Sequence, residues 1–109
     1  MAYDEGLAER IRHLLADEPG VTERKMFGGL AFLVDGNMAV AANNEGDLMF
    51  RADPATANEL LSDHVRPQTM GERVMSGWLH VDAEVLATDG PLGEVVARGV
   101  TYARTLPPK

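Results

Sequence analysis

Arg24-Lys25-Met26-Phe27-Gly28-Gly29-Leu30-Ala31-Phe32-Leu33-Val34-Asp35-Gly36-Asn37 is the stretch on which the fold of this chain turns. It holds a charged entry, a glycine pair, the most apolar run of the sequence and a turn dipeptide. Leu30 to Val34 is too short for a helix and long enough for a central strand. Asp35-Gly36 suits the positive φ angles of a two-residue hairpin turn, so the chain should double back at once. Before the glycines, Val21 to Phe27 alternates loosely and carries β-branched Val21 and Thr22, which reads as a strand stopping at Gly28-Gly29. A bulge or tight bend at those glycines would let Leu30 enter the sheet in a new register.

Downstream, Asn37 to Ala42 is the partner strand, Asn43-Asn44-Glu45-Gly46 a second turn and Asp47 to Arg51 a further strand. Short turns between successive strands make an antiparallel meander. Asp53-Pro54 then sets a capping side chain before a proline at the first helical position, predicting a helix of about eight or nine residues through Leu60 and Leu61. Val65 to Met70 contains Pro67 and can only lie at an edge, whereas Val74 to Val81 reads as a half-buried strand. Two helices frame these strands. Leu7, Ile11, Leu14 and Leu15 share one stripe after a capping Asp4. Leu92, Val95, Val96, Gly99, Val100 and Ala103 share another from Pro91 onward. The expected architecture is α+β, a curved antiparallel sheet of about five strands packed against helices: helix, four-strand meander, helix, one or two strands, helix. The chain, residues 1–109, is read as one stand-alone domain.

Composition narrows function mainly by exclusion. With 45% hydrophobic and 25% charged residues the sequence suits an ordinary folded domain. The absence of cysteine excludes a disulfide framework, a thiolate metal site and a thiol nucleophile together. A start of Met-Ala-Tyr-Asp-Glu-Gly lacks the basic and apolar regions of a secretory signal, so a cytoplasmic location is expected. The formal net charge of −7 sets the whole-molecule field against a phosphate backbone and against direct nucleic-acid binding.

Catalytic chemistry is not apparent in the residues. His13, His64 and His80 lack second ligands at metal spacing, and Met75-Ser76-Gly77 lacks the first glycine of a nucleophile elbow. Gly28-Gly29 is followed by neither a Lys-Ser/Thr pair nor a helix, as a phosphate loop requires. We therefore expect no enzyme activity and no metal or cofactor. The best lead is the sheet itself. If Met38, Val40, Leu48, Phe50, Met75, Leu79 and Val81 face the helices, then Ala39, Ala41, Arg51, Trp78 and His80 line the opposite side. Arg51, Trp78 and His80 are the candidate interaction residues, suited to a protein partner or a homodimer.

Arg24, Lys25, Met26, Phe27, Gly28 and Gly29, followed by Phe32, the hairpin, Leu48 to Arg51, Met75-Ser76-Gly77-Trp78 and the closing Tyr102-Ala103-Arg104, resemble the N-terminal domain of the TfoX/Sxy family of bacterial competence regulators. The resemblance spans nearly the whole chain. It implies an α+β domain with a curved sheet and a regulatory role in transcription of competence-type genes, exercised without catalysis. Full regulators of that family carry a further C-terminal domain, and the chain stops at Lys109. A direct nucleic-acid-binding regulator and a small-ligand-binding domain are the alternative functions.

Overall fold

A computed structural model describes residues 5–26, 29–43, 46–53, 57–70 and 72–108. The order is α1 (Glu5–Leu14), β1 (Val21–Met26), β2 (Gly29–Val34), β3 (Asn37–Ala42), β4 (Leu48–Arg51), a 3-10 turn (Ala57–Leu60), β5 (Val65–Met70), β6 (Arg73–Val81), α2 (Ala83–Leu86) and α3 (Asp89–Arg104). The α+β architecture is the one expected, with six strands in one open antiparallel sheet, ordered β1-β2-β3-β4-β6-β5. The meander holds through β4; β6 then takes the inner place and Pro67 sits on the edge strand β5, where its missing N–H is tolerated. The other edge, β1, carries exposed Glu23, Arg24 and Lys25.

The hairpin between β2 and β3 forms as the dipeptide dictates: Asp35 has φ 52° and Gly36 φ 86°. The reading of the glycine pair changes. Gly29 is already in β2, opposite Met26, and a Cβ there would strike the carbonyl oxygen of Ala42 on β3. The expectations for Asp4, Phe27, Gly28 and Pro54 lie outside the described residues.

All helices pack on one face. Leu7, Ala8 and Ile11 of α1, Leu86 of α2 and Leu92, Val96, Val100 and Ala103 of α3 close over Leu30, Phe32, Val34, Val40, Leu48, Phe50, Leu79 and Val81. In α1 the stripe is completed by buried Leu15, whereas Leu14 turns outward and is 43% exposed. Arg10 ties α1 to the C-terminal helices, donating to the Leu86 carbonyl at 2.6 Å and pairing with Asp89 at 3.0 Å. The helix expected through Leu60 and Leu61 is, among the described residues, only the 3-10 turn ending at Leu60. α2 has four residues, too few for its apolar periodicity to be recognised in the sequence.

The two-faced assignment of β3 needs one correction. Phe32 pairs with Val40 but Leu33 pairs with Met38, so Ala39 is an extra residue in β3. This bulge turns Ala39 onto the helix side with Val40 and sends Met38 to the opposite side, the reverse of the strict alternation. A second irregularity shapes β6. Its residues Val74 and Leu79 pair with Thr69 and Pro67, so β6 advances five residues where β5 advances two. Gly77 within the excess has φ 83°, a conformation that disfavours any side chain, and its carbonyl accepts from Ala52 N–H at 2.7 Å. The residue presented immediately after it is Trp78.

Candidate interaction face

On the face without helices a second apolar cluster forms. Ala31, Ala41 and Met49 are buried there, and Leu33, Met38 and Trp78 pack against them partly exposed. The first three lie in one row across the sheet, in the cross-strand order Arg24, Ala31, Ala41, Met49, His80, Arg66. Small alanines make the centre of that row low, and the neighbouring Leu33–Met38 pair stands beside it. No helix residue belongs to the cluster among the described residues. Ala31, Leu33 and Met49 are members that the sequence does not assign to this face, and Met38 is assigned to the opposite one; for Ala31 and Leu33 a signal was present. A five-residue run with no polar alternation is apolar on both faces of its sheet.

Arg51 and Trp78 are direct cross-strand partners at the rim of this face. The Arg51 guanidinium carbon lies 5.3 Å from the Trp78 ring centroid and 5.7 Å from that of Tyr102 on α3, so two aromatic rings hold one cation. Each such contact contributes about 0.5–1 kcal/mol at an exposed site. Beside it runs an open cleft of about 330 Å³ lined by Asn37, Arg51, Leu106, Pro107 and Pro108. Its far wall is fixed by buried Asn37, whose side-chain amide donates to the Pro107 carbonyl at 2.9 Å.

His80 has a different environment. Its Nε2 is joined to Asp47, its Nδ1 lies 3.6 Å from Asp82, and its side chain is only 17% exposed. Asp82 also meets Arg66 at 2.9 Å and His64 at 3.4 Å. The candidate histidine thus belongs to a polar cluster, gathered on Asp82, that closes one end of the face, and it offers little surface of its own. Asp47 is 33 residues away from it in sequence, so only the β4–β6 pairing brings them together.

Partial desolvation raises the Asp82 carboxyl, but the hydrogen bond from His64 and the charges of Arg66 and His80 outweigh it and leave the pKa below the ordinary aspartate value. A depressed carboxylate pKa contributes stability above its unfolded value, and the contribution disappears as pH falls through the folded value. Carboxyl-detected NMR of Asp82 should therefore give a titration midpoint below the unfolded aspartate value of about 3.9. Arg66→Gln should move that midpoint upward; an unchanged midpoint would contradict the ion pair.

Arg24 and Lys25 are exposed on β1, with no ion pair among the described residues. Arg24 heads the row that crosses the second face, while Lys25 lies opposite Leu30 of the helix side. The described motif residues, Arg24 to Met26 and Gly29, and the Arg51–Trp78 pair therefore lie on different strands of one sheet and, among the described residues, form no single pocket. A larger cleft of about 380 Å³ between α3 and the 3-10 turn includes none of the described residues 24–26 and 29. Among the described residues no cluster of three or more His, Asp or Glu is arranged to hold a metal ion. None of their helices is long and apolar enough to cross a membrane.

The architecture and this face define a small α+β domain built on an open antiparallel sheet, helices on one side and an apolar surface on the other. The chain belongs to the TfoX N-terminal domain family, whose model matches residues 13–103 and so takes in all six strands and nearly all of α3. No curated protein and no solved structure gives a significant match.

Proposed function

We propose that this domain is a non-enzymatic regulatory or adaptor module that acts by binding a protein partner through the helix-free face of its sheet. The observation that carries the reading is the second apolar cluster, in which Leu33, Met38 and Trp78 remain partly exposed over a buried floor. Aromatic, methionine and arginine side chains grouped in this way are the composition of interface centres. The family relationship directs the role toward regulation, and control of competence-type genes through a contact with a separate regulator is the process we propose. The net charge of −7 supports a protein partner over a nucleic acid.

Partner capture from the native lysate, with the wild type and Trp78→Ala compared, tests the reading. The variant should lose the captured protein while its circular dichroism spectrum stays that of the wild type. Capture that is indifferent to Trp78→Ala and also to Met38→Glu would place the contact elsewhere. A mobility shift of DNA by the isolated protein at low ionic strength would replace the reading with direct nucleic-acid binding.

A further inference from the structure

We propose that the cleft beside Arg51 receives a single carboxylate, carried by an acidic side chain of a partner protein whose apolar neighbours rest on Leu33, Met38 and Trp78. The inference rests on the interaction face proposed above and specifies the chemistry of what binds there.

Charge distribution is the first argument. On this acidic chain Arg10, Arg12, Arg66, Arg98 and Arg104 each hold a carboxylate: Asp89, Glu9 and Glu23, Asp82, Glu94 and Glu18 respectively. Arg51 and Arg24, both associated with the helix-free face, have no carboxylate partner among the described residues. A molecule with net charge −7 thus presents unneutralised cations beside its exposed apolar cluster. The matching surface is acidic and apolar.

The setting of Arg51 is the second. Trp78 and Tyr102 place their rings 5.3 and 5.7 Å from its guanidinium carbon, and contacts with ring faces restrict a guanidinium without taking a hydrogen-bond acceptor to its N–H donors. A planar fork already held in place loses less freedom on binding an oxyanion and can meet a carboxylate with two parallel hydrogen bonds. The remaining cleft walls supply Leu106, Pro107 and Pro108, and the Asn37 amide is committed to the Pro107 carbonyl, so among the described residues Arg51 is the only charged side chain lining the cleft. One charge facing apolar walls suits one carboxylate. A polyphosphate chain would bring several charges into the repulsive field of the whole molecule.

Trp78 is the only tryptophan, so its emission reports directly on the Arg51 stack. The probe is a synthetic peptide of alternating Leu and Asp with blocked ends; its Leu-Asn counterpart, inorganic phosphate and oligothymidylate are the comparison ligands. The Leu-Asp peptide should change the emission saturably, and the Leu-Asn peptide should bind at least about tenfold more weakly, the factor expected for one charge-assisted contact. Arg51→Gln should weaken the Leu-Asp peptide by a similar factor, followed by calorimetry because the reporter's neighbour has changed, and Arg51→Lys should recover only part of it. Equal binding of the two peptides, or unchanged binding by Arg51→Gln, overturns the carboxylate assignment; if Met38→Glu still abolishes that binding, the interaction face itself stands. Failure of the Leu-Asp peptide to bind at all overturns the assignment, as does preference for phosphate or oligothymidylate.

Discussion

Replacing Phe50 with alanine should lower the free energy of unfolding by about 3–5 kcal/mol, the range for deleting a buried aromatic side chain. Phe50 is 2% exposed and lies in β4 between Val40 of β3 and Leu79 of β6, both buried in the same core. Its ring therefore fills the middle of the sheet's helix side, where strands on both flanks are fixed by backbone pairing and cannot move inward to close the void. A domain of this size has about 5–15 kcal/mol in total, so the substitution would remove a large share of its stability. Urea denaturation followed by circular dichroism measures the change. A loss below about 1 kcal/mol would mean that the site collapses around the deletion.

The second large effect concerns one substitution made at two places in one helix. Gly99 of α3 lies against the β3 bulge: a Cβ there would stand 2.6 Å from the carbonyl oxygen of Ala39 and 2.9 Å from a methyl of Val40. One of these obstacles is backbone, which cannot rotate aside as the end of a long side chain can. Gly99→Ala should thus destabilise the protein by about 1–3 kcal/mol through overpacking, even after helix propensity returns up to about 1 kcal/mol. At Gly93 in the same helix the nearest atom to an added Cβ is a Leu14 methyl at 4.0 Å. Gly93→Ala should accordingly stabilise by about 0.5–1 kcal/mol. Thermal unfolding of the two variants decides the matter by sign. If both substitutions stabilised, the close approach of α3 to β3 would be refuted.

Features governed by neighbouring residues were legible in the sequence. Asp35-Gly36 specified its hairpin, Pro67 specified an edge, and the stripe from Leu92 to Ala103 specified the covering helix because each depends on backbone geometry or periodicity over a few residues. The family resemblance was legible for the same reason, since its motifs are continuous. What escaped depends on pairing across distance. The exchange of Met38 and Ala39 between faces follows from a bulge that exists only relative to β2, and no local pattern in Asn37 to Ala42 announces it. Among the described residues the longer helix expected after the proline start signal is seen only as the 3-10 turn ending at Leu60, since such a signal indicates where a helix begins and not how far it propagates.

The candidate site divides along the same line. Arg51 and Trp78 could be placed on one face from strand alternation, but Tyr102, the second ring against Arg51, comes from the far end of the chain. His80 was placed on the correct strand face, yet its engagement with Asp47 and Asp82 was invisible, and that engagement turns an apparent surface histidine into a mostly enclosed one. Alternation gives direction, whereas availability depends on what else arrives.

Both borders of the sheet are guarded, one by the charged residues Glu23, Arg24 and Lys25 and the other by Pro67. Charged border strands and a missing backbone donor are obstacles to strand addition, the route by which an exposed sheet recruits further chains into a fibril. The helix-free face can therefore remain sticky without making the protein prone to polymerise. Contacts made broadside are limited by the extent of one apolar surface and stop when it is covered, whereas contacts made border to border would propagate.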